Sequence, residues 1–376
     1  MTGTRNHSRH LVFSGGGSGG HLTPSIAVAS AVFQQDPDAQ ATFLTSHRDI
    51  DRVVLENSFV ADDKRCSIIS LSVTQPPGLK WSNISQTRAL AGSVLRCRRR
   101  FKSISTHVVF ATGGFASLPG LLAAKRSRIP TVLFEANTQP GKITRWWKPL
   151  ATARFCAWPA EKVPLLTDFK CVGMPVRSWN TDTTNETHSS MTLESRRILI
   201  VGGSQGSQRL NEIVHAALPR LKLPYGWEIL HQTGSNIRPV IVTQSGQPRI
   251  TTKPYLDDLP GTLESSAFVI SRAGAVTLGE IAATGCPSIL VPLSTAALNH
   301  QQSNAEFLRQ QGAALVIDET GSHPQVDLAN AVHALVNNHS SRQMMSQAAR
   351  LLHRPNAADE IARSLIELSD LTQRNH

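Results

Sequence analysis

Several features that define other protein classes are missing from this chain of 376 residues. No apolar run approaches the ~18 residues of a membrane-spanning helix, so we expect no transmembrane segment. The polar start, MTGTRNHSRH, runs directly into a strand pattern and predicts no signal peptide. The five cysteines are scattered without a Cys-x-x-Cys pair, which argues against structural zinc and favours a reducing cytoplasm. With no Walker A lysine motif and no metal-ligand cluster in the second half, we expect no metal and no cofactor.

Acidic residues are scarce in the first half. Residues 1–178 contain 23 Lys and Arg against 10 Asp and Glu, a balance of +13, whereas residues 179–376 contain 15 against 17, a balance of −2. A basic half of this kind favours an anionic partner, namely nucleic acid, anionic lipid or a phosphorylated substrate. A merely soluble basic surface is the alternative.

One predicted helix concentrates this charge. Residues 81–101 have helical apolar spacing, begin with Trp81 and end in the basic stretch 96–102. An aromatic, amphipathic helix with a basic end favours contact with an anionic membrane. A solvated helix end whose cations complement the helix dipole is the alternative.

The stretch HLVFSGGGSGGHLTPSIAVASAVF, residues 10–33, predicts a buried strand, a glycine loop and a helix. Glycines let the backbone approach a ligand, and the first helical turn points its N–H groups at it. We therefore expect a phosphate near Ser18, Gly19 and Gly20. His21 is either a polar residue that fills a helix start or a functional side chain.

The same loop matches Gly-x-Gly-x-x-Gly through Gly15, Gly17 and Gly20. A dinucleotide site also needs an acidic residue at the end of the second strand. That strand, predicted at 41–45, runs into Ser-His-Arg at 46–48, which disfavours a nicotinamide enzyme.

The second half repeats the order of the first. A strand at 197–201 enters a glycine loop at 202–207, and a helix follows. This repetition predicts an α/β protein of two Rossmann-like parallel-sheet domains, 1–178 and 179–356, facing across a cleft. We expect residues 357–376 to form a helix that packs back toward the N-terminal domain.

Polar residues follow several other predicted strands, where ligands bind in open parallel sheets. Glu135 and Asn137 follow the strand at 130–134. Glu280 lies one turn into a helix after the glycine turn at 273–277, where a carboxylate can bind a ribose diol; an exposed helix glutamate is the alternative. The pair at 257–258, Asp-Asp, suggests a metal less than it suggests a loop or helix start.

The order and spacing of eight segments between about residues 10 and 320 resemble the MurG family, transferases that add N-acetylglucosamine to lipid-linked muramyl-pentapeptide in peptidoglycan synthesis. The segments are GGGSGGHLTPSIAVA, ATGGFASLPG, FEAN, VGMPVR, VGGSQGSQRLN, HQTG, SRAGAVTLGEIAATGCPSILVP and NHQQSNA. The resemblance implies the GT-B fold of glycosyltransferases. It also implies UDP-N-acetylglucosamine as donor, bound mainly by the C-terminal half.

Matched position by position, the resemblance assigns roles to individual residues. Ser204 and Arg177 would contact the donor phosphate or sugar, the backbone of Leu256 would meet the uracil, and Gln301 would bind the N-acetylglucosamine hydroxyls. Residues that would wrap the nucleotide, with the last on the ribose, are Ala275, Val276, Thr277, Leu278, Gly279 and Glu280. Residues that would line the cleft from the other domain are Ser18, Gly19, Gly20 and Asn137.

The implied reaction inverts the anomeric carbon of the donor, which the 4-hydroxyl of the undecaprenyl-diphosphate-linked muramyl sugar attacks. His21 is the expected base and Glu135 the second choice. Helix N-termini and arginine would stabilise the leaving diphosphate without a metal. The resemblance places the protein peripherally on the cytoplasmic face of the inner membrane. Its expected partners are anionic inner-leaflet lipid and other cell-wall synthesis proteins, not nucleic acid.

Four positions depart from the family pattern. Phe134 and Ala136 stand where the family has His and Gln, Phe115 where it has Tyr, and Met174 where it has Asn. We expect each change to remove a hydrogen-bonding group on or near the acceptor side. Two alternatives therefore stay open: a GT-B transferase for another lipid acceptor such as a diacylglycerol, and a non-catalytic sugar-nucleotide-binding partner.

Overall fold

The computed structural model describes residues 8–17, 19–72, 84–159, 163–176, 195–203, 205–234, 249–294 and 299–374. The chain divides into two compact units. Unit 1 holds residues 1–177 and 354–376, and unit 2 holds residues 178–353. The polar stretch at 180–195, whose composition predicts a flexible connection or a long surface loop, lies outside the described residues except for Ser195.

Unit 1 is built on a parallel sheet. Its strands are β1 (His10–Ser14), β2 (Gln40–Ser46), β3 (Cys66–Leu71), β4 (Val108–Ala111), β5 (Thr131–Glu135), β6 (Ala153–Cys156) and β7 (Lys170–Cys171). Their order in the sheet is β3-β2-β1-β4-β5-β6-β7. The central strands are apolar without alternation because helices cover both faces. Phe13 of β1 stacks on Phe43 at 5.1 Å and meets Phe110 edge-on at 5.8 Å between ring centroids.

The edge of this sheet is a strand of two residues that the sequence pattern did not predict. Lys170 and Cys171 pair in parallel with Phe155 and Cys156 and add an edge strand. Two residues are too short to show a strand period, so the pattern could not reveal them.

The helices of unit 1 connect these strands. They are α1 (Gly19–Gln35), α2 (Asp49–Glu56), α3 (Ile84–Ser103), α4 (Leu118–Ser127) and α5 (Lys142–Trp147). Trp81, the predicted aromatic start of α3, lies outside the described residues.

Unit 2 repeats this plan. Its strands are β8 (Arg197–Val201), β9 (Glu228–Gln232), β10 (Arg249–Lys253), β11 (Phe268–Ser271), β12 (Ser288–Leu290) and β13 (Ala314–Val316), in the parallel order β10-β9-β8-β11-β12-β13. Its helices are α6 (Gln208–Ala217), α7 (Leu259–Glu264), α8 (Ala275–Thr284), α9 (His300–Gln310), α10 (Pro324–Asn337) and α11 (His339–Leu352).

The order in which successive strands are added reverses at the equivalent position in both sheets. In unit 1 the strand order reverses between β1 and β4, and in unit 2 between β8 and β11. Ligands of open parallel sheets bind beyond the carboxyl ends of the strands at such switch points. The loops after these four strands are therefore where the fold places a site.

The last helix, α12 (Ala357–Arg374), belongs to unit 1. It packs against α1, and Ile361, Ala362 and Leu365 are fully buried. Within the described residues, no helix combines the length and apolar character needed to cross a membrane.

Candidate active site

His21 lies in the first turn of α1 and is joined to Thr112, the residue that follows β4. Its Nδ1 is 2.9 Å from the carbonyl oxygen of Thr112, and the hydroxyl of Thr112 donates to the carbonyl oxygen of His21 at 2.8 Å. A carbonyl can only accept, so Nδ1 carries the proton and the lone pair of the neutral ring is on Nε2. This tautomer is the one that a general base acting through Nε2 requires.

The absence of a side chain at Gly114 leaves space for the imidazole ring of His21. The backbone of Gly114, at φ +71° and ψ +161°, lies in a region that only glycine adopts readily. A Cβ at this position would be 2.8 Å from Nε2 of His21. Both the backbone conformation of Gly114 and its contact with the His21 ring therefore require glycine in the second glycine turn.

The first glycine loop is tied to α2. The amide of Gly17 donates to both carboxylate oxygens of Asp51, at 2.9 and 2.8 Å, and Asp51 is only 1% exposed. The predicted phosphate contacts therefore cannot include this amide. Ser18 lies outside the described residues, and Gly19 and Gly20 open α1.

Glu135, at the end of β5, is 4% exposed and surrounded by donors. It accepts hydrogen bonds from the amide and side chain of Asn137, from the amide of Gly141 and from the hydroxyl of Thr144. These bonds fix the turn that follows β5. They also orient Asn137, whose side chain is partly exposed.

The structure places three of the four departures from the family pattern in the interior of unit 1. Phe134 is fully buried and packs near Phe110 in the core of the sheet, and Ala136 and Met174 are 3% and 4% exposed. Phe115 is half-buried against the core cluster that contains Leu121. That each change removes a hydrogen-bonding group on or near the acceptor side stays a prediction.

In unit 2, the glycine loop after β8 packs directly on the end of β9. Gly206, at φ +73°, approaches the backbone of Thr233 and Gly234 too closely to admit a side chain. Asn211 of α6 donates to the carbonyl oxygen of Thr233 at 2.9 Å and pairs through Oδ1 with Nε2 of His231 at 2.9 Å. The segments VGGSQGSQRLN and HQTG are thus parts of one packed unit. Ser204 lies outside the described residues.

Arg272, which follows β11, was not singled out from the sequence. It is 5% exposed, and its guanidinium donates to Glu319 at 2.7 Å, to the carbonyl oxygen of Val291 at 2.9 Å and to the hydroxyl of Ser207 at 3.0 Å. Glu319 in turn accepts from the amide and hydroxyl of Ser294. Arg272 therefore connects the loops that follow β8, β11 and β12. The sequence feature that could have identified it is its position directly after a predicted strand, in the segment SRAG.

The start of α8 is open. Gly274 supplies no side-chain cap, and a Cβ there would meet nothing within 4 Å. Among the predicted nucleotide residues, Ala275, Val276, Thr277 and Glu280 are partly exposed, whereas Leu278 and Gly279 are buried. Uncapped amides at a helix N-terminus favour an anionic ligand.

The remaining predicted donor residues lie in different surroundings. Gln301, in the first turn of α9, accepts from the amide of Leu293 at 3.0 Å. Leu256, whose backbone is expected to meet the uracil, is 7% exposed. Arg177 lies outside the described residues.

Asp258 caps α7 by accepting from the amide of Gly261 at 2.9 Å, which confirms the predicted helix-start role. Across the described ranges, no group of three or more His, Cys, Asp and Glu side chains is arranged to hold a metal ion.

Comparison with protein families gives two matches. The N-terminal domain of glycosyltransferase family 28 matches residues 11–156, and its C-terminal domain matches residues 197–361. Two relatives are named UDP-N-acetylglucosamine--N-acetylmuramyl-(pentapeptide) pyrophosphoryl-undecaprenol N-acetylglucosamine transferase. The one from Syntrophotalea carbinolica is 33% identical over 94% of this chain and 97% of its own length. The one from Prochlorococcus marinus is 34% identical over 88% of this chain and 89% of its own length.

Solved structures agree on the fold. The crystal structure of MurG from Acinetobacter baumannii superposes with a TM-score of 0.76 at 24% identity, covering 96% of this chain and 99% of that one. The glycotransferase of kitacinnamycin superposes with a TM-score of 0.69 at 14% identity, over 96% and 99%. These likenesses confirm the predicted GT-B fold. The chain belongs to glycosyltransferase family 28 and, within it, to the MurG family of N-acetylglucosamine transferases.

Proposed function

We propose that this protein is an inverting hexosyltransferase of peptidoglycan synthesis. It moves N-acetylglucosamine from UDP-N-acetylglucosamine to the 4-hydroxyl of undecaprenyl-diphosphate-linked N-acetylmuramyl-pentapeptide. The names of relatives at 33–34% identity support both substrates. The observation that carries the chemistry is the bond from Nδ1 of His21 to the carbonyl oxygen of Thr112.

His21 acts as the base. The lone pair on Nε2 takes the proton of the acceptor hydroxyl as that oxygen attacks the anomeric carbon. Glu135 is the weaker candidate because four donors already surround its carboxylate. We assign it the role of orienting Asn137, which lines the acceptor side together with Ser18, Gly19 and Gly20.

Unit 2 binds the donor. The uncapped first turn of α8, at 275–278, receives the diphosphate, and Glu280 binds the ribose diol. Gln301 binds the sugar hydroxyls, the Leu256 backbone meets the uracil, and Ser204 and Arg177 add contacts to phosphate or sugar. Amide dipoles and arginine stabilise the leaving diphosphate, so no metal is required.

Unit 1 contacts anionic lipid at the cytoplasmic face of the membrane. The basic end of α3 contributes Arg96, Arg98, Arg99 and Lys102. The chain from 145 to 150 adds basic residues beside Trp146 and Leu150, which are 54% and 44% exposed. Exposed aromatic and aliphatic side chains among cations suit such a surface.

The test is transfer of labelled N-acetylglucosamine to a short-chain, lipid-linked muramyl-pentapeptide, with and without EDTA. Product in both conditions supports the acceptor and the metal-free departure of diphosphate. Absence of product with UDP binding intact contradicts the acceptor assignment, and diacylglycerol is then the first alternative to test. H21A separates an enzyme from a binding protein: it should keep UDP affinity and lose about 10²–10⁴-fold in turnover.

A further inference from the structure

Asp51 is the most completely enclosed carboxylate beside the first glycine loop. It lies in the first turn of α2 and is 1% exposed. Its two oxygens accept from the amide of Gly17, from the amide of Ser46 at 3.0 Å and from the hydroxyl of Ser46 at 2.6 Å. The ion pairs of the described residues do not include Asp51. Its charge is therefore met by N–H and O–H donors of the backbone and of Ser46.

The glycine loop is shaped around this carboxylate. Gly16 has φ +147°, and a Cβ there would lie 2.5 Å from an oxygen of Asp51. Arg48, which immediately precedes α2, donates to the carbonyl oxygen of Gly17 at 2.8 Å. The start of α2 thus binds the peptide groups of Gly17 on both the N–H and the C=O side.

This arrangement reverses the usual role of such a loop. In a phosphate-binding loop the glycine amides donate to the ligand. Here the amide of Gly17 donates to an anion of the chain itself. A ligand phosphate would find that amide occupied and would be repelled by the buried charge.

We propose that Asp51 is a positioning residue of the acceptor side, an internal anion that holds the first glycine loop and directs ligand phosphate away from Gly17. Because α1 begins two residues after Gly17, holding Gly17 also fixes the approach to the amides of Gly19 and Gly20 and to His21. The inference rests on the proposed function for its kinetic effect, whereas its structural basis is independent of that function.

The principal variant is D51N, which keeps the shape but replaces one acceptor oxygen with an NH2 group that opposes the donors around it. The matched control is D49N, because Asp49 lies in the same helical turn with a side chain 93% exposed. We expect D51N to lower kcat by about ten- to a hundredfold, as a displaced base does. The KM for UDP-N-acetylglucosamine and the affinity for UDP should stay unchanged, since Asp51 and the α8 site belong to different units. D49N should match the wild type.

Hydrogen exchange at the Gly17 amide gives a readout that does not need turnover. Exchange should be about a hundredfold faster in D51N than in D49N or the wild type, because one of the two oxygens that accept from the Gly17 amide becomes an NH2 group that opposes it. S46A removes the hydroxyl that donates to Asp51 and leaves the bonds from Gly17, so it should lower kcat less than D51N does. It replaces D51N as the test variant if D51N does not fold. Wild-type kcat or unchanged Gly17 exchange in D51N overturns the inference. No transfer by the wild type contradicts the proposed function instead, and exchange alone then decides the role of Asp51.

Discussion

Thr112 and His21 are joined by two hydrogen bonds that run in opposite directions. The ring of His21 donates to the backbone of Thr112, and the hydroxyl of Thr112 donates to the backbone of His21. The pair connects the start of α1 with the end of β4, the two chain segments at the switch point of the unit 1 sheet. The position of the ring and its tautomer therefore depend on the same residue.

The two bonds can be separated by mutation. T112V removes the hydroxyl but keeps the carbonyl that holds Nδ1, so His21 should keep its tautomer and lose part of its anchoring. We expect kcat to fall by about three- to tenfold, the size of one hydrogen bond. T112S keeps the hydroxyl and should stay near the wild type. Steady-state kinetics check this, and equal rates for T112V and T112S would contradict it.

Gly114 should tolerate no side chain. G114A places a Cβ against Nε2 of His21 and forces a non-glycine residue into a glycine-only backbone region, at a cost of about 1–3 kcal/mol. Activity should fall together with stability.

The control is G92A in α3, an exposed position where a Cβ meets nothing within 4 Å. Alanine in a helix is favoured over glycine by about 1 kcal/mol, so G92A should be neutral or slightly stabilising. Thermal unfolding and transfer rates compare the two variants. A fully active G114A would show that the contact with His21 does not matter.

The buried ion pair between Arg272 and Glu319 should stabilise unit 2. Burial by itself raises the pKa of Glu319, but the donors of Ser294 and the Arg272 guanidinium outweigh it, so the pKa is lowered and the group is ionised. E319Q leaves the Arg272 charge buried without its counter-ion, a change that costs about 3–5 kcal/mol in comparable pairs. UDP affinity should fall as well, because Arg272 connects the loops at the strand ends.

E306Q is the control, since Glu306 forms an exposed pair with Arg309. It should leave both unfolding and UDP binding unchanged. Denaturant unfolding and UDP titration test the pair of variants. Equal stability of E319Q and E306Q would refute a structural role for the buried pair.

Acid should destabilise both units through buried histidines. Burial lowers the pKa of His10 in unit 1 and of His231 in unit 2 from 6.5 to about 4. Above pH 6.5 neither folded nor unfolded chain binds these protons. Between pH 6.5 and 4 the unfolded chain binds them and the folded chain does not, so each histidine removes about 1.4 kcal/mol of unfolding free energy per pH unit.

From pH 6.5 to 5 the loss is therefore about 2 kcal/mol for each unit, and it levels off below pH 4. Denaturant unfolding across this range measures the slope. H231Q should be less stable at neutral pH but show a shallower slope for unit 2. An unchanged slope in H231Q would exclude His231 as a source of the acid sensitivity.

Local sequence patterns predicted most of the strands and helices, because an apolar strand or a helical spacing of apolar residues is visible within a few neighbouring residues. Gly15–Gly20 and Gly202–Ser207 marked the switch-point loops of both units correctly. Strand β7 was missed because its two residues are too few to show an alternating apolar pattern. The burial of Phe134 agrees with its place in the apolar strand predicted at 130–134.

Motifs singled out individual residues of the candidate site, but they did not reveal pairs of distant residues that act together. His21 was singled out from its loop, but its tautomer depends on Thr112, 91 residues later. Asp51 and Gly17 are 34 residues apart, and Arg272 and Glu319 are 47 apart. In the sequence alone, a buried carboxylate cannot be distinguished from an exposed one, because its hydrogen-bond donors are distant along the chain.

The position of α12 sets the order in which the protein can be completed during synthesis. Unit 1 contains residues 1–177, yet α12, the helix that packs against α1, is synthesised only after all of unit 2. Until then the face of α1 that packs against α12 stays uncovered. The nascent N-terminal unit is therefore incomplete, and prone to association, until α12 has been made.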